Sequence, residues 1–251
     1  MKIKSFIDVD GLFSQKEIYT MSCTDTGKFH YLMDMSKAQR AKVELNNMHL
    51  ATGMVFTEEH GIPLLHAYEG PTHLPYVPYS SRNDFPEGNI AIHFFEDDYK
   101  FATATWKRLD RTTYTLARYP VLCTPDHSLY VDMPKSLNLW SIYKSRFAGA
   151  FWQNCGFDVI PTASWSNADS FSWCFEGLPQ HSVIAVCGMG VDGCSAASEL
   201  WLMGMHSLEY TLHPTELLVY GEERNVPGIS TPITFISPYI KSKIRTNESR
   251  K

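Results

Sequence analysis

The sequence predicts an α/β fold built on a mainly parallel sheet of five or six strands, either an open sheet or a partial barrel. An N-terminal β-hairpin and helix precede it. Three observations carry this prediction. Short apolar runs (NIAIHFF, PVLCT, DVIPTAS, SVIAVC and ELLVYG) recur from residue 90 onward. Most are separated by amphipathic stretches long enough for helices, the pattern of βαβ units. The runs are apolar at consecutive positions instead of alternating, as strands must be when helices cover both faces of a sheet.

In chain order, residues 3–35 alternate as antiparallel strands do. KEIYTMSC and KFHYLMDM flank the turn Thr24-Asp25-Thr26-Gly27. Ser36 caps a helix that runs to about Met48, with Gly53 just beyond it. Pro63, Pro71, Pro75, Pro78 and Pro86 make residues 56–89 an extended covering segment whose Tyr68, Tyr76 and Tyr79 can pack on a core. Then come the strand NIAIHFF, a helix over residues 97–119 capped by Asp97 or Asp98, and the strand PVLCT. A second helix starts at its cap Asp132 and stops at Gly156; a third is ASELWLMGMHSLEYTL. TPITFIS offers a sixth strand. The expected division is therefore a hairpin-plus-helix unit (1–55), the proline-rich cover (56–89), the α/β domain (90–240) and a charged, frayed tail (241–251).

Composition narrows the function. Hydrophobic residues at 44% and charged residues at 20% suit a globular chain with a real core. A net charge of −5, with no basic run before the tail, disfavours nucleic acid as the main partner. No apolar stretch approaches the roughly 18–20 residues that span a bilayer. Asp8 and Asp10 interrupt the N-terminal apolar residues, so no secretory signal is expected. The six cysteines form no C-x-x-C pair and read as reduced thiols in a cytoplasmic protein.

In parallel α/β sheets, ligands bind outside the carboxyl ends of the strands. Those ends bring candidate residues to one rim. Asp97 and Asp98 follow the first strand, and one carboxylate beyond the cap is free for a divalent cation or for base catalysis. Asp126 and Ser128 follow the second, Asp126 as the leading catalytic candidate; His127 between them is weaker. On the next helix Tyr143, Arg146, Gly149 and Gln153 share a face, which makes Arg146 a partner for a rim carboxylate or a substrate. Trp165 closes the next strand, where an aromatic can stack on a ligand. Gly188, Gly190 and Gly193 spell the letters of a dinucleotide fingerprint, but at least three strands precede them. The candidate acid Glu222 is too distant, and Asp192 stands where a pyrophosphate would approach. NAD and FAD are therefore disfavoured, and a modest anion preference at a helix start is retained.

FFEDDYKF, VLCTPDHSLYVDMP, the helix bearing Trp140, Tyr143, Arg146, Gly149 and Gln153, then GFDVIPTASW, CFEGLP, SVIAV and LLVYG form an ordered series. Over residues 60–240 it resembles an uncharacterised family, a domain of unknown function found in bacteriophages, plasmids and other bacterial mobile elements. His127 stands where that family usually has an aromatic, and residues 1–55 lie outside its pattern. The resemblance implies a phage or mobile-element setting and brings no mechanism.

Two function classes follow. One is a ligand-binding or hydrolytic enzyme acting on a phosphorylated or nucleotide-like substrate at the rim. The other is a non-enzymatic factor that binds a host or phage protein through its N-terminal part and tyrosine-rich cover. A metal-dependent nuclease ranks third.

Overall fold

The computed structural model describes residues 46–85 and 88–238. The predicted hairpin, most of the Ser36 helix and the charged tail lie outside these residues. The fold is α/β, with eight parallel strands in two four-stranded sheets. The first sheet holds β1 (Tyr76–Pro78), β2 (Ala91–His93), β3 (Val121–Cys123) and β4 (Asp158–Ile160), and the second β5 (Thr162–Ala163), β6 (Val183–Cys187), β7 (Glu216–Tyr220) and β8 (Ile233–Ile236). The helices are α1 (Leu109–Leu116), α2 (Lys135–Asn154) and α3 (Ser195–Leu212).

The strand count exceeds the expected five or six for two reasons. Tyr76–Pro78, inside the proline-rich cover, adds an edge strand, paired parallel to β2. Proline is tolerated there because an edge leaves one side of the backbone without a ladder partner. DVIPTAS, read as one strand, is broken at Pro161, which has no N–H to give a ladder. Thr124 bridges the break: its N–H donates to Ile160 O (3.0 Å) and its Oγ1 accepts from Thr162 N (2.8 Å). Ala185 N in turn donates to Pro161 O (2.8 Å). The two sheets are thus consecutive parts of one ribbon.

Strand order follows chain order throughout, the order of a (β/α) barrel instead of a doubly wound sheet. The ribbon curls: His93 on β2 meets Tyr220 on β7 with ring centroids 4.4 Å apart, although β3, β4, β5 and β6 lie between them in the strand order. Side chains sort by parity. Ala91, Val121, Cys123, Ile160, Ala185, Leu218 and Tyr220 gather inside the curl. Ile92, Leu122, Val159, Ile184, Leu217 and Val219 pack outward on Phe147, Trp152, Met205 and Leu208 of the helices. Both faces are apolar because both are buried.

Three helix boundaries differ from expectation. Residues 97–119 form a short 3-10 turn (Asp98–Lys100), a π-helical turn (Thr103–Lys107) and then α1, not one helix. Neither Asp97 nor Asp98 caps it: Asp97 sits at the first cap position without a side-chain bond, and Asp98 bonds to Ser128. Asp132 is exposed and does not cap α2, whose cap position is Pro134. Asn138 closes that turn instead, donating to Tyr130 O (3.0 Å) and accepting from Tyr130 N (3.2 Å). Gly156 does end α2. Its φ is +87°, its N–H reaches Gln153 O, and Phe157 N reaches Trp152 O, a Schellman closure.

Replacing Gly156 with Ala puts a Cβ into a left-handed position and should cost about 1–2 kcal/mol. Urea unfolding of the full chain measures this loss, and an unchanged midpoint would contradict the closure.

Candidate functional site

The cover is stapled to α2 and to the loop after the 3-10 turn Ala168–Ser172. Gln153 forms a two-way amide bridge with His66, its Oε1 accepting from His66 N and its Nε2 donating to His66 O, both at 2.9 Å. Leu65 N donates to Gly177 O (2.9 Å). His60 Nδ1 lies 2.6 Å from Glu176 Oε2, and Thr57 Oγ1 donates to Glu176 Oε1. The α2 face read from the sequence is therefore real: Arg146, Gly149 and Gln153 meet the strand ends and the cover. Gly149 is required there, since a Cβ would stand 2.5 Å from Thr124 Cγ2.

Arg146 is buried at 1% exposure. Its Nη1 donates to Thr162 O (2.9 Å) and Ser145 Oγ (3.1 Å), its Nη2 to Cys174 O (3.2 Å) and its Nε to Glu176 O (3.4 Å). Burial pushes its guanidinium down to about 10, while the nearby Cys174 and Asp126 push the other way. Arg146 is a clamp whose positive charge acts on Asp126 through space.

Asp126 lies three residues beyond β3. Burial first, and the neighbouring Asp98 carboxylate second, push its carboxyl up to about 7; Arg146 and a hydrogen bond with Ser164 offset part of that rise. Asp98 differs. Burial works against its charge, but the nearby His127 and the hydrogen bonds from Ser128 outweigh it and hold the carboxyl below its ordinary value. Ser128 donates twice to Asp98 Oδ1, from N at 3.1 Å and from Oγ at 2.9 Å. Ser128 is thus the partner that keeps Asp98 ionised, and two adjacent carboxyls are split into an anion and a group that titrates near neutrality.

His127 is buried against Phe101, ring centroids 5.2 Å apart, with Nδ1 3.8 Å from Asp98 Oδ2 and no hydrogen bond to either ring nitrogen. Burial, against the pull of Asp98, lowers its basicity. Lys144 of α2, half-buried, is lowered mainly by burial and is held charged by Asp98. Asp97 turns away to Lys100 Nζ at 3.1 Å. Glu222 is exposed on the loop after β7. The rim carboxylates Asp97, Asp126 and Glu222 do not form a three-ligand group. Among the described residues, that geometry occurs only where Glu59 and His60 of the cover meet Glu176.

Trp165 is packed on α3, where a Cβ on Gly204 would stand 2.0 Å from its ring, and its edges meet Phe171 and Phe175. The glycine loop divides by role. Gly188 sits against Val219 and the backbone of Gly221, Gly190 takes φ +74°, and Gly193 faces open space. Arg224 Nη2 donates to Gly188 O (2.8 Å), and the thiol of the preceding Cys187 feels both Asp126 and Arg224. The loop and Asp126 therefore share one end of the sheet. The cap position of α3 is Cys194, with no side-chain bond to the first turn.

Sequence reasoning missed Lys144 and His93. His93 was visible only as the one polar letter inside NIAIHFF, a position that more often marks a satisfied core histidine. Lys144 had no signal, since surface lysines are common on helices.

The geometry defines an α/β protein that gathers ionisable residues at the carboxyl ends of its strands. By sequence, the chain belongs to the family described as a domain of unknown function (DUF4417), which matches residues 57–236. It is similar to the "Gene 1 protein" of Mycobacterium phage L5, 40% identical over 142 residues that cover 57% of this chain and 62% of that protein. It is also similar to the "Gene 1 protein" of Mycobacterium phage D29, 34% identical over 168 residues, 67% of this chain and 59% of that protein. The chain thus spans about three fifths of the length of these curated relatives. No solved structure matches it. Among the described residues, no helix is long and apolar enough to cross a membrane.

The Asp126 carboxyl sets a pH signature. Its folded value of about 7 lies above an unfolded value of roughly 3.9, so the folded chain holds the extra proton between them. The stability this confers is present below about pH 4 and is lost as pH rises through about 7. Asp126→Asn should therefore gain melting temperature over wild type as pH rises through that window, and a pH-independent difference would count against the buried carboxyl. Asp98→Asn should move the Asp126 titration, followed by carboxyl carbon NMR, to lower pH.

Proposed function

We propose that this phage-family protein is an enzyme that hydrolyses a small phosphorylated or nucleotide-like substrate at the carboxyl-end rim, with Asp126 as general base. The observation that carries this reading is the Asp126–Asp98 pair. A general base works best when it titrates near the operating pH, and Asp126 is pushed up to about 7. Asp98, held ionised by Ser128, supplies the neighbouring negative charge that favours the proton on Asp126 once water has given it up.

The surroundings suit an anionic group. Lys144 and Arg224 bring positive charge to the same end of the sheet. The first turn of α3 has no side-chain cap, and uncapped helix N–H groups favour phosphate oxygens. Arg146 is fully engaged with carbonyls and Ser145, so its part is to tune Asp126 and not to bind substrate. Asp97, paired with Lys100, has no role in this scheme.

The test is hydrolysis of a panel of nucleotides, sugar phosphates and phosphodiesters, with and without divalent cations. Asp126→Asn should lower kcat/KM by about 100-fold or more. Wild-type kcat/KM should fall as pH drops below about 7, because protonated Asp126 accepts no proton. Turnover that persists in Asp126→Asn with the same pH profile would remove Asp126 from the reaction.

A further inference from the structure

We propose that the mouth of the curled sheet holds a subsite for a planar, uncharged heterocycle of nucleobase type, read by the Nε2–H of His93. This rests on the rim reading above and specifies what enters the rim.

His93 is the last residue of β2, faces inside the curl and is wholly buried. Its ring packs against Phe95, centroid at 5.5 Å, and Tyr220, centroid at 4.4 Å, which stack on each other at 5.2 Å. Nδ1 accepts from Phe95 N at 3.2 Å, so in the neutral ring the proton sits on Nε2. Nε2 has no partner. Buried donors are nearly always satisfied in native proteins, so an orphan one calls for a partner, which a bound molecule can supply. Burial pushes the imidazole down to about 3, so at neutral pH it donates one hydrogen bond and carries no charge. Such a donor selects a carbonyl or ring-nitrogen acceptor. Phosphate is better served by the cations at the rim.

The layer that holds His93 also holds the other inward strand ends. Cys123 ends β3, and Cys187 and Tyr220 are register partners ending β6 and β7. The Asp126 carboxyl acts on the thiols of both Cys123 and Cys187, which places it over this layer. One mouth therefore offers an N–H donor and a carboxyl. Their complement is an acceptor beside an N–H, the –C(=O)–NH– edge of a uracil-like or hypoxanthine-like ring. An anionic substituent on the same ligand would reach Lys144, Arg224 and the start of α3.

The experiment uses the full chain labelled with 15N-histidine, and uridine, inosine, cytidine and adenosine as probes at millimolar concentration. The His93 ring should show the Nε2–H tautomer from pH 5 to 8, and uridine and inosine should shift its signals saturably. His93→Phe removes the Nε2–H donor, and with it the acceptor of Phe95 N, and should lose roughly tenfold or more in nucleoside affinity. His93→Gln, which keeps an N–H donor, should retain more binding than His93→Phe. His93 signals indifferent to all four nucleosides would overturn the subsite, as would equal nucleoside affinity in His93→Phe; the imidazole would then serve an internal water. Nucleoside binding without hydrolysis of any nucleotide would keep the subsite and remove the reaction. Hydrolysis undisturbed in His93→Phe would keep the reaction and remove the subsite.

Discussion

The buried guanidinium of Arg146 ties three parts of the chain to one point. It leaves α2 and donates to Thr162 O at the strand break, to Cys174 O and to Glu176 O. Hydrogen bonds to a charged group such as this contribute about 1.5–3 kcal/mol each. The break at Pro161 is thereby held in shape, and Glu176 is held where His60 and Thr57 of the cover bind it. Among the described residues no carboxylate forms an ion pair with Arg146, and its charge is solvated by backbone carbonyls and Ser145. What remains of its field falls on Asp126.

That arrangement explains why one rim carboxyl titrates near neutrality and its neighbour does not. Curling of the ribbon takes Asp126 out of water, and Asp98 adds a like charge. Arg146, spent on carbonyls, returns only part of the stabilisation that a direct ion pair would give. Asp98 has the opposite fate because Ser128, two residues past Asp126 on the same loop, points an N–H and an O–H at it. A single loop therefore carries both the carboxyl that is raised and the donors that hold its neighbour down.

Much of the fold was legible because helix-covered parallel strands leave a plain mark, consecutive apolar residues bounded by helical stretches. The failures have local causes. Tyr76–Pro78 was hidden by its prolines, which an edge strand tolerates. The long helix over 97–119 was overdrawn because periodicity does not show where the backbone loosens into a π turn. Asp132 looked like a cap by residue type, yet Pro134 holds the cap position and Asn138 reaches back from inside α2 to tie down the preceding loop at Tyr130. At the rim, Asp98, Asp126, Ser128 and the 188–193 loop were found by asking what stands at strand ends. His93 was passed over because one histidine in an apolar strand usually has a partner.

By itself, the sequence determined the α/β class, the parallel strands, the stop at Gly156, the shared face of Arg146, Gly149 and Gln153, and the rim as the place where polar residues collect. These follow from periodicity, from glycine's access to positive φ and from strand direction, all local properties. Tertiary structure alone decided that strand order runs in chain order and curls. It decided that Trp165 packs on Gly204, that Asp97 leaves the site for Lys100, and that the Asp126 carboxyl is raised while that of Asp98 is lowered. Burial, through-space charge and contact across the curl depend on residues far apart in the chain, so no local pattern records them.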